Sequence, residues 1–81
     1  MNAIILHESR GRIRLKIRQK QMTLAQADLL EAWLQQKSWC RQVTVHERTC
    51  AVILYYEGDR QIVLDAIRRF SWQEAEKTTS L

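Results

Sequence analysis

Residues 12–18 alternate without a break between cationic and aliphatic side chains, and no other stretch constrains the fold as strongly. Every second position is aliphatic, at Ile13, Leu15 and Ile17. A period of two is that of a β-strand, and one packed face with one wet face is typical of an antiparallel sheet covered on one side. The sequence therefore predicts a strand whose solvent face carries four cations: Arg12, Arg14, Lys16 and Arg18.

The segment before this strand is predicted to belong to the same sheet. Ile4-Ile5-Leu6 is a short apolar run, and Gly11 lies between it and the alternating stretch. Glycine at such a point marks a bulge or a turn with positive φ. Two interpretations stay open. Residues 3–18 form one long strand bent near Gly11, or they form two strands joined by a turn there.

The remaining elements follow from capping and periodicity. Thr23 and Gln26 form a capping-box pattern at the start of a helix over about 24–37. Apolar residues at helical spacing predict a second helix over about 60–70. Strands are expected over about 41–47 and 50–56, joined by a short reversal. A short last strand at 71–73 competes with residues 3–7 for the place of the fourth strand, and the residues beyond Glu74 look polar and frayed.

This order of elements predicts an α+β fold: a ferredoxin-like β-α-β-β-α-β sandwich whose antiparallel sheet carries two helices on one face. The 81 residues allow one domain with one core. We expect the domain to cover residues 1–73 and a polar tail to cover 74–81. No apolar run reaches the roughly 18–20 residues that span a bilayer, and the N-terminus lacks the pattern of a signal peptide. A cytoplasmic location is the expectation.

The formal net charge of +4 is unevenly placed along the chain. Residues 1–20 hold six basic side chains and one acidic side chain, whereas the remaining 61 residues hold seven basic and eight acidic ones. The whole basic excess therefore lies in the first quarter of the sequence. Such an asymmetry indicates an anionic or acidic partner for that surface.

The sequence offers little for catalysis or metal binding. It has no Gly-rich phosphate loop, and His7 and His46 are single residues in strand contexts. Cys40 and Cys50 are too few for the disulfide framework of a small secreted domain and are predicted to be buried apolar side chains. A metal site built from these four residues is disfavoured because the expected hairpin places the two cysteines at opposite ends. We expect no catalytic residue, no metal site and no cofactor.

In its element order and in residues 22–27, the chain resembles the heavy-metal-associated domains at the N-terminus of heavy-metal-transporting P-type ATPases. Those domains carry Met-Thr-Cys-x-x-Cys between the first strand and the first helix, where two thiolates take the metal. Here the same stretch reads Met-Thr-Leu-Ala-Gln-Ala, so Leu24 and Ala27 stand at the two cysteine positions. The resemblance covers roughly residues 3–73, and the replacements remove thiolate coordination at that loop.

A second resemblance is more specific. The segment His7-Glu8-Ser9-Arg10-Gly11-Arg12-Ile13-Arg14 is similar to the His-Ser-x-Pro-Gly-Arg-x-Arg opening of a divergent branch of these domains. That branch lacks the CxxC pair and precedes the membrane region of bacterial metal-transporting ATPases. Arg10 stands where proline is usual. The resemblance implies an accessory or regulatory cytosolic domain that acts by docking and not by metal capture.

Six residues form the candidate binding site: His7, Gly11, Arg12, Arg14, Lys16 and Arg18. The resemblance implies that these residues bind the cytosolic domains of a P-type ATPase or the anionic headgroups of the membrane. As part of a longer chain, the domain would be tethered to the inner face of that membrane. In the alternative, a stand-alone protein binds nucleic acid or protein through the same basic face. Nucleic acid ranks lower because the first strand exposes no aromatic side chain for base stacking. A metal chaperone with Cys and His ligands is a third hypothesis, and no small-molecule substrate is expected.

Overall fold

A computed structural model describes residues 1–79 and shows an α+β chain with one four-stranded sheet and three helices. All strand pairs are antiparallel, and the order across the sheet is β1-β2-β4-β3. The elements, in chain order, are β1 (Ala3–Ser9), β2 (Arg12–Ile17), α1 (Leu24–Gln35), β3 (Cys40–His46), β4 (Ala51–Tyr56), α2 (Arg60–Arg69) and α3 (Trp72–Thr79).

The first two strands form a hairpin. Of the two interpretations, the one with two strands joined by a turn at Gly11 is confirmed, and the single bent strand is wrong. Ser9 pairs with Arg12, which leaves Arg10 and Gly11 as the turn residues. Gly11 has a φ of 77°, a left-handed conformation that glycine adopts at no steric cost. Its carbonyl accepts a hydrogen bond of 3.0 Å from the amide of Tyr56. The hairpin makes β1 the fourth strand of the sheet.

The predicted strand at 71–73 is wrong, because α3 begins at Trp72. The hydroxyl of Ser71 accepts a hydrogen bond of 3.2 Å from the amide of Glu74, as a helix cap does. Ala75 is completely buried, so the residues that follow Glu74 are not merely a frayed tail. This helix crosses the predicted domain boundary after residue 73, and the boundary itself stays a prediction.

The core confirms which faces of the strands and helices were predicted to be buried. Alternate residues of β2 are buried, and they join one apolar cluster with buried residues of β3, β4 and all three helices. The predicted capping box at Thr23 and Gln26 is present in both directions, with hydrogen bonds of 3.0 and 3.1 Å. The helices supply buried side chains at helical spacing: Ala27, Leu30, Leu34, Val63 and Ile67.

Replacing Gly11 with alanine is expected to lower the free energy of unfolding by about 1–2 kcal/mol, the usual cost of a left-handed conformation for a residue with a Cβ atom. The new Cβ would also lie 3.4 Å from the Tyr56 carbonyl oxygen. Gly58→Ala is the matched control, since its φ is 95° but nothing lies within 4 Å. Urea melts should place both variants below the wild type, with Gly58→Ala measuring the conformational cost without the Tyr56 contact. A Gly11→Ala variant as stable as the wild type would contradict the turn.

Candidate functional site

The register of β2 against β4 decides which side chains share the solvent-exposed sheet face. Arg12 lies opposite Tyr55, Arg14 opposite Ile53 and Lys16 opposite Ala51. Directly opposite residues on neighbouring strands point to the same side of a sheet. β3 adds Thr44 opposite Ile53 and His46 opposite Ala51. We call this surface the basic face, and its side chains include Arg12, Arg14, Lys16, Thr44, His46, Ile53 and Tyr55.

Arg12 and Tyr55 are paired on the basic face. The guanidinium carbon of Arg12 lies 5.7 Å from the centroid of the Tyr55 ring, within the range of a cation–π contact. Tyr55 keeps 39% of its surface exposed, although it lies on an inner strand. The contact holds the half-buried guanidinium against the sheet while an aromatic ring stays accessible to a partner.

The cations of β2, and Arg18 directly after it, have no carboxylate partner among the described residues. The ion pairs within residues 1–79 join Arg41 to Glu57, Arg60 to Glu8 and Arg68 to Asp65, and none of them includes Arg12, Arg14, Lys16 or Arg18. Arg14, Lys16 and Arg18 are exposed. A row of unpaired cations on one side of a sheet creates a positive potential that attracts anionic groups.

The predicted site residues do not all lie on this surface. His7 pairs with Arg14, which brings it beside the basic face, whereas Gly11 lies in the turn at the end of the hairpin. Arg18 follows β2, and its amide donates a 2.9 Å hydrogen bond to the carbonyl of Asn2. The structure therefore brings four of the six residues together across β1 and β2: His7, Arg12, Arg14 and Lys16.

A shallow depression lies at the end of the basic face, where β3 turns into β4. Arg14, His46, Glu47, Arg48 and Thr49 line it. The lining holds two arginines and a histidine but only one acidic residue, so the depression suits a carboxylate or phosphate group of a partner. The sequence pattern did not single out Arg48 or Thr49, because only the turn between β3 and β4 brings them near Arg14.

The loop that binds metal in the resembled domains lacks thiolate donors here. Leu24 is the first residue of α1 and is exposed, and Ala27 is buried in the core. Within residues 1–79, no three His, Cys, Asp or Glu side chains are grouped so that they could hold a metal ion. Cys40 pairs with Tyr56 at one end of its hairpin, whereas the thiol of Cys50 contacts the Gln19 carbonyl oxygen at 3.6 Å. Burial raises the pKa of the Cys40 thiol, which lowers its thiolate fraction at neutral pH.

The reduced protein is expected to bind Zn²⁺, Cd²⁺ or Cu⁺ more weakly than about 1 µM, because an isolated thiol lacks the further ligands that a tight site needs. Anaerobic titration with both thiols reduced measures this affinity. Cys40→Ser and Cys50→Ser serve as controls. Tight one-to-one binding that either substitution abolishes would contradict the docking hypothesis and favour a metal chaperone.

Comparison of the chain with protein-family models, with curated proteins and with solved structures finds no match. Within residues 1–79, no helix is both long enough and apolar enough to cross a membrane. The relation to P-type ATPase domains therefore stays a prediction that rests on residues 7–14 and 22–27.

Proposed function

We propose that this protein is a non-catalytic docking domain that binds an acidic surface through its basic face. One observation carries the proposal: an exposed sheet face presents Arg14 and Lys16 with no ion-pair partner among the described residues, beside a half-buried Arg12 that Tyr55 holds in place. Arg14 and Lys16 are free to pair with a carboxylate of a partner, and Arg12, which Tyr55 already holds, loses less conformational entropy on binding.

The proposed partner is a cytosolic domain of a heavy-metal-transporting P-type ATPase, with the anionic surface of the membrane as a weaker contact. The resemblance of residues 7–14 to the divergent branch of heavy-metal-associated domains supports this choice. The turn at Arg10 and Gly11 supports it as well, since proline and glycine, which the branch carries there, are favoured at the two central positions of a tight turn. Docking in the cytosol would regulate transport without capturing the ion.

The proposal includes a finer assignment of the fold. We infer a ferredoxin-like sandwich with its helices on the face opposite the basic face, in which β1 replaces the expected C-terminal strand. β1 pairs with β2 at the edge of the sheet, where the predicted last strand would pair with the first. The basic face is then left uncovered by the helices, as docking through it requires.

Nucleic acid is the second candidate partner, and Tyr55 favours it. Sheets that bind single-stranded RNA stack bases on exposed aromatic side chains and neutralise phosphates with nearby cations. Tyr55 lies on an inner strand next to Arg12. It is a single aromatic ring where such sheets use two or three, and for that reason we rank this function below docking to protein.

A salt series on three ligands tests the proposal. The ligands are the cytosolic domains of a heavy-metal-transporting P-type ATPase, anionic vesicles and mixed-sequence RNA, each titrated with this protein. We expect binding to the ATPase domains that keeps part of its affinity at high salt, because a protein interface also buries apolar surface. Binding to vesicles and RNA should be weak and fall steeply with salt. Tight, salt-resistant and sequence-selective binding of RNA would overturn the proposal in favour of the second candidate.

A further inference from the structure

β1 is an edge strand, and its outer side offers unpaired backbone groups. The Arg18 amide donates to the Asn2 carbonyl, while the Ile17 amide donates to the Cys50 carbonyl on the opposite side of β2. Hydrogen-bonding direction alternates along an antiparallel ladder. The backbone N–H and C=O groups of Ala3 and Ile5 therefore point away from β2, toward the open edge of the sheet.

An apolar groove runs along this open edge on the core side of the sheet. It lies between β1 and α2. Its apolar lining comes from Met1, Ala3, Ile5, Leu15, Leu64 and Ile67. Side chains of a strand added beside β1 would alternate between this groove and the opposite sheet face. The residues opposite Ala3 and Ile5 would enter the groove.

The edge is unusually apolar for a strand in contact with water. Ile4, Ile5 and Leu6 keep 46%, 38% and 49% of their surfaces exposed. Natural edge strands are commonly guarded by charges, proline or bulges. The register irregularity of β1 falls between Ile5 and His7, so residues 3–5 remain a regular strand with open hydrogen-bonding groups.

The charges near β1 indicate which kind of partner strand could pair with it. Lys16 lies opposite Ile4 and Arg14 lies opposite His7, so both cations are on the sheet face away from the groove. The nearby carboxylates already have partners, since Glu8 pairs with Arg60 and Asp65 with Arg68. A second copy of this chain would bring the same cations to the contact, whereas an acidic segment would neutralise them.

We infer that β1 binds an extended peptide segment of a partner as a fifth strand, with apolar and acidic residues in alternation. Main-chain hydrogen bonds to Ala3 and Ile5 supply affinity, and the groove beside α2 supplies specificity, as in other cases of β-strand addition. The apolar residues of the segment fill the groove, and its acidic residues lie toward Lys16 and Arg14. This surface is distinct from the centre of the basic face and extends the binding capacity beyond docking through that face.

A peptide of alternating Glu and Val, seven residues long and blocked at both ends, is the probe. Titration followed by amide NMR should shift the resonances of residues 3–5 and of α2, and should slow hydrogen exchange at the Ala3 and Ile5 amides. The same peptide with N-methyl groups on alternate amides, placed to block the edge hydrogen bonds, should bind at least about tenfold more weakly. A Lys-Val peptide should not bind.

Ile5→Pro is the protein variant that tests the same inference. Its amide points to the open edge, so proline removes no bond of the ladder to β2 and is tolerated as on other edge strands. The variant should lose peptide binding and keep docking through the basic face. Equal binding of the methylated and unmethylated peptides would overturn the inference, as would shifts confined to Thr44, Ile53 and Tyr55. Dimers that sedimentation detects in the wild type and not in Ile5→Pro would instead assign the edge to a second copy.

Discussion

Leu15→Ala is expected to lower the free energy of unfolding by about 2–5 kcal/mol, the cost of emptying a buried leucine site. Leu15 is 1% exposed and lies between Ile5 and Val52 on the core side of the sheet. Small domains have roughly 0.05–0.15 kcal/mol of stability per residue. The substitution therefore removes a large share of the stability of this chain, and denaturant melts of the purified variant measure it.

Two controls make the Leu15 result specific. Leu24→Ala deletes the same atoms at a site that is 63% exposed, and it should change stability by less than about 0.5 kcal/mol. Arg14→Ala alters the neighbouring residue of the same strand, whose side chain points to solvent. A shift of one residue exchanges the two faces of a strand. Greater loss in Arg14→Ala than in Leu15→Ala would therefore contradict the register of β2.

Phe70→Ala is expected to cost about 3–5 kcal/mol, as is usual for a buried aromatic side chain. The ring makes edge-to-face contacts with Trp33 and Trp72, with centroids 4.9 and 5.0 Å apart. Those two residues belong to α1 and α3, and Phe70 lies at the junction of α2 and α3. One side chain thus connects three helices, so its loss should also release α3 from the core.

Amide hydrogen exchange distinguishes this release from a general loss of stability. In Phe70→Ala, the amides of α3 should exchange faster than those of β2 and β4. The reason is that local unfolding of α3 no longer has to break its aromatic contact with Phe70. Tyr55→Ala removes an exposed aromatic ring and should leave exchange in α3 unchanged. If the α3 amides of Phe70→Ala were as well protected from exchange as those of the wild type, the helix would not depend on the aromatic contacts of Phe70.

Local patterns were enough to predict most elements of the fold. The alternation of residues 12–18 determined which side chains of β2 are buried, since a strand has only two faces. Thr23 and Gln26 gave the first residue of α1 because a capping box acts within one helical turn. These signals depend on neighbours in the chain and need no knowledge of the tertiary structure.

Long-range contacts account for what the sequence did not predict. The choice between residues 3–7 and 71–73 as the fourth strand depended on whether the Gly11 turn pairs β1 with β2. Residues 72–79 become helical although they look polar, since Ala75 and Trp72 pack against the core. In the candidate site, the basic side chains were predictable from one strand. That Tyr55 and not Tyr56 shares their face depended on the register between β2 and β4.

Affinity of a double charge-reversal variant tests the central claim most directly. Arg14→Glu with Lys16→Glu reverses two unpaired cations of the basic face, and Arg69→Glu with Lys77→Glu makes the same change in net charge at exposed positions on α2 and α3. Both variants are titrated with the cytosolic domains of a heavy-metal-transporting P-type ATPase. The account predicts that the first variant binds about 4-fold to about 1,000-fold more weakly, because each reversal replaces an attraction of about 0.2–1 kcal/mol by a repulsion of similar size and the two together cost about 0.8–4 kcal/mol. The second variant should bind nearly as the wild type does. Equal loss in both variants, or no loss in either, would contradict docking through the basic face.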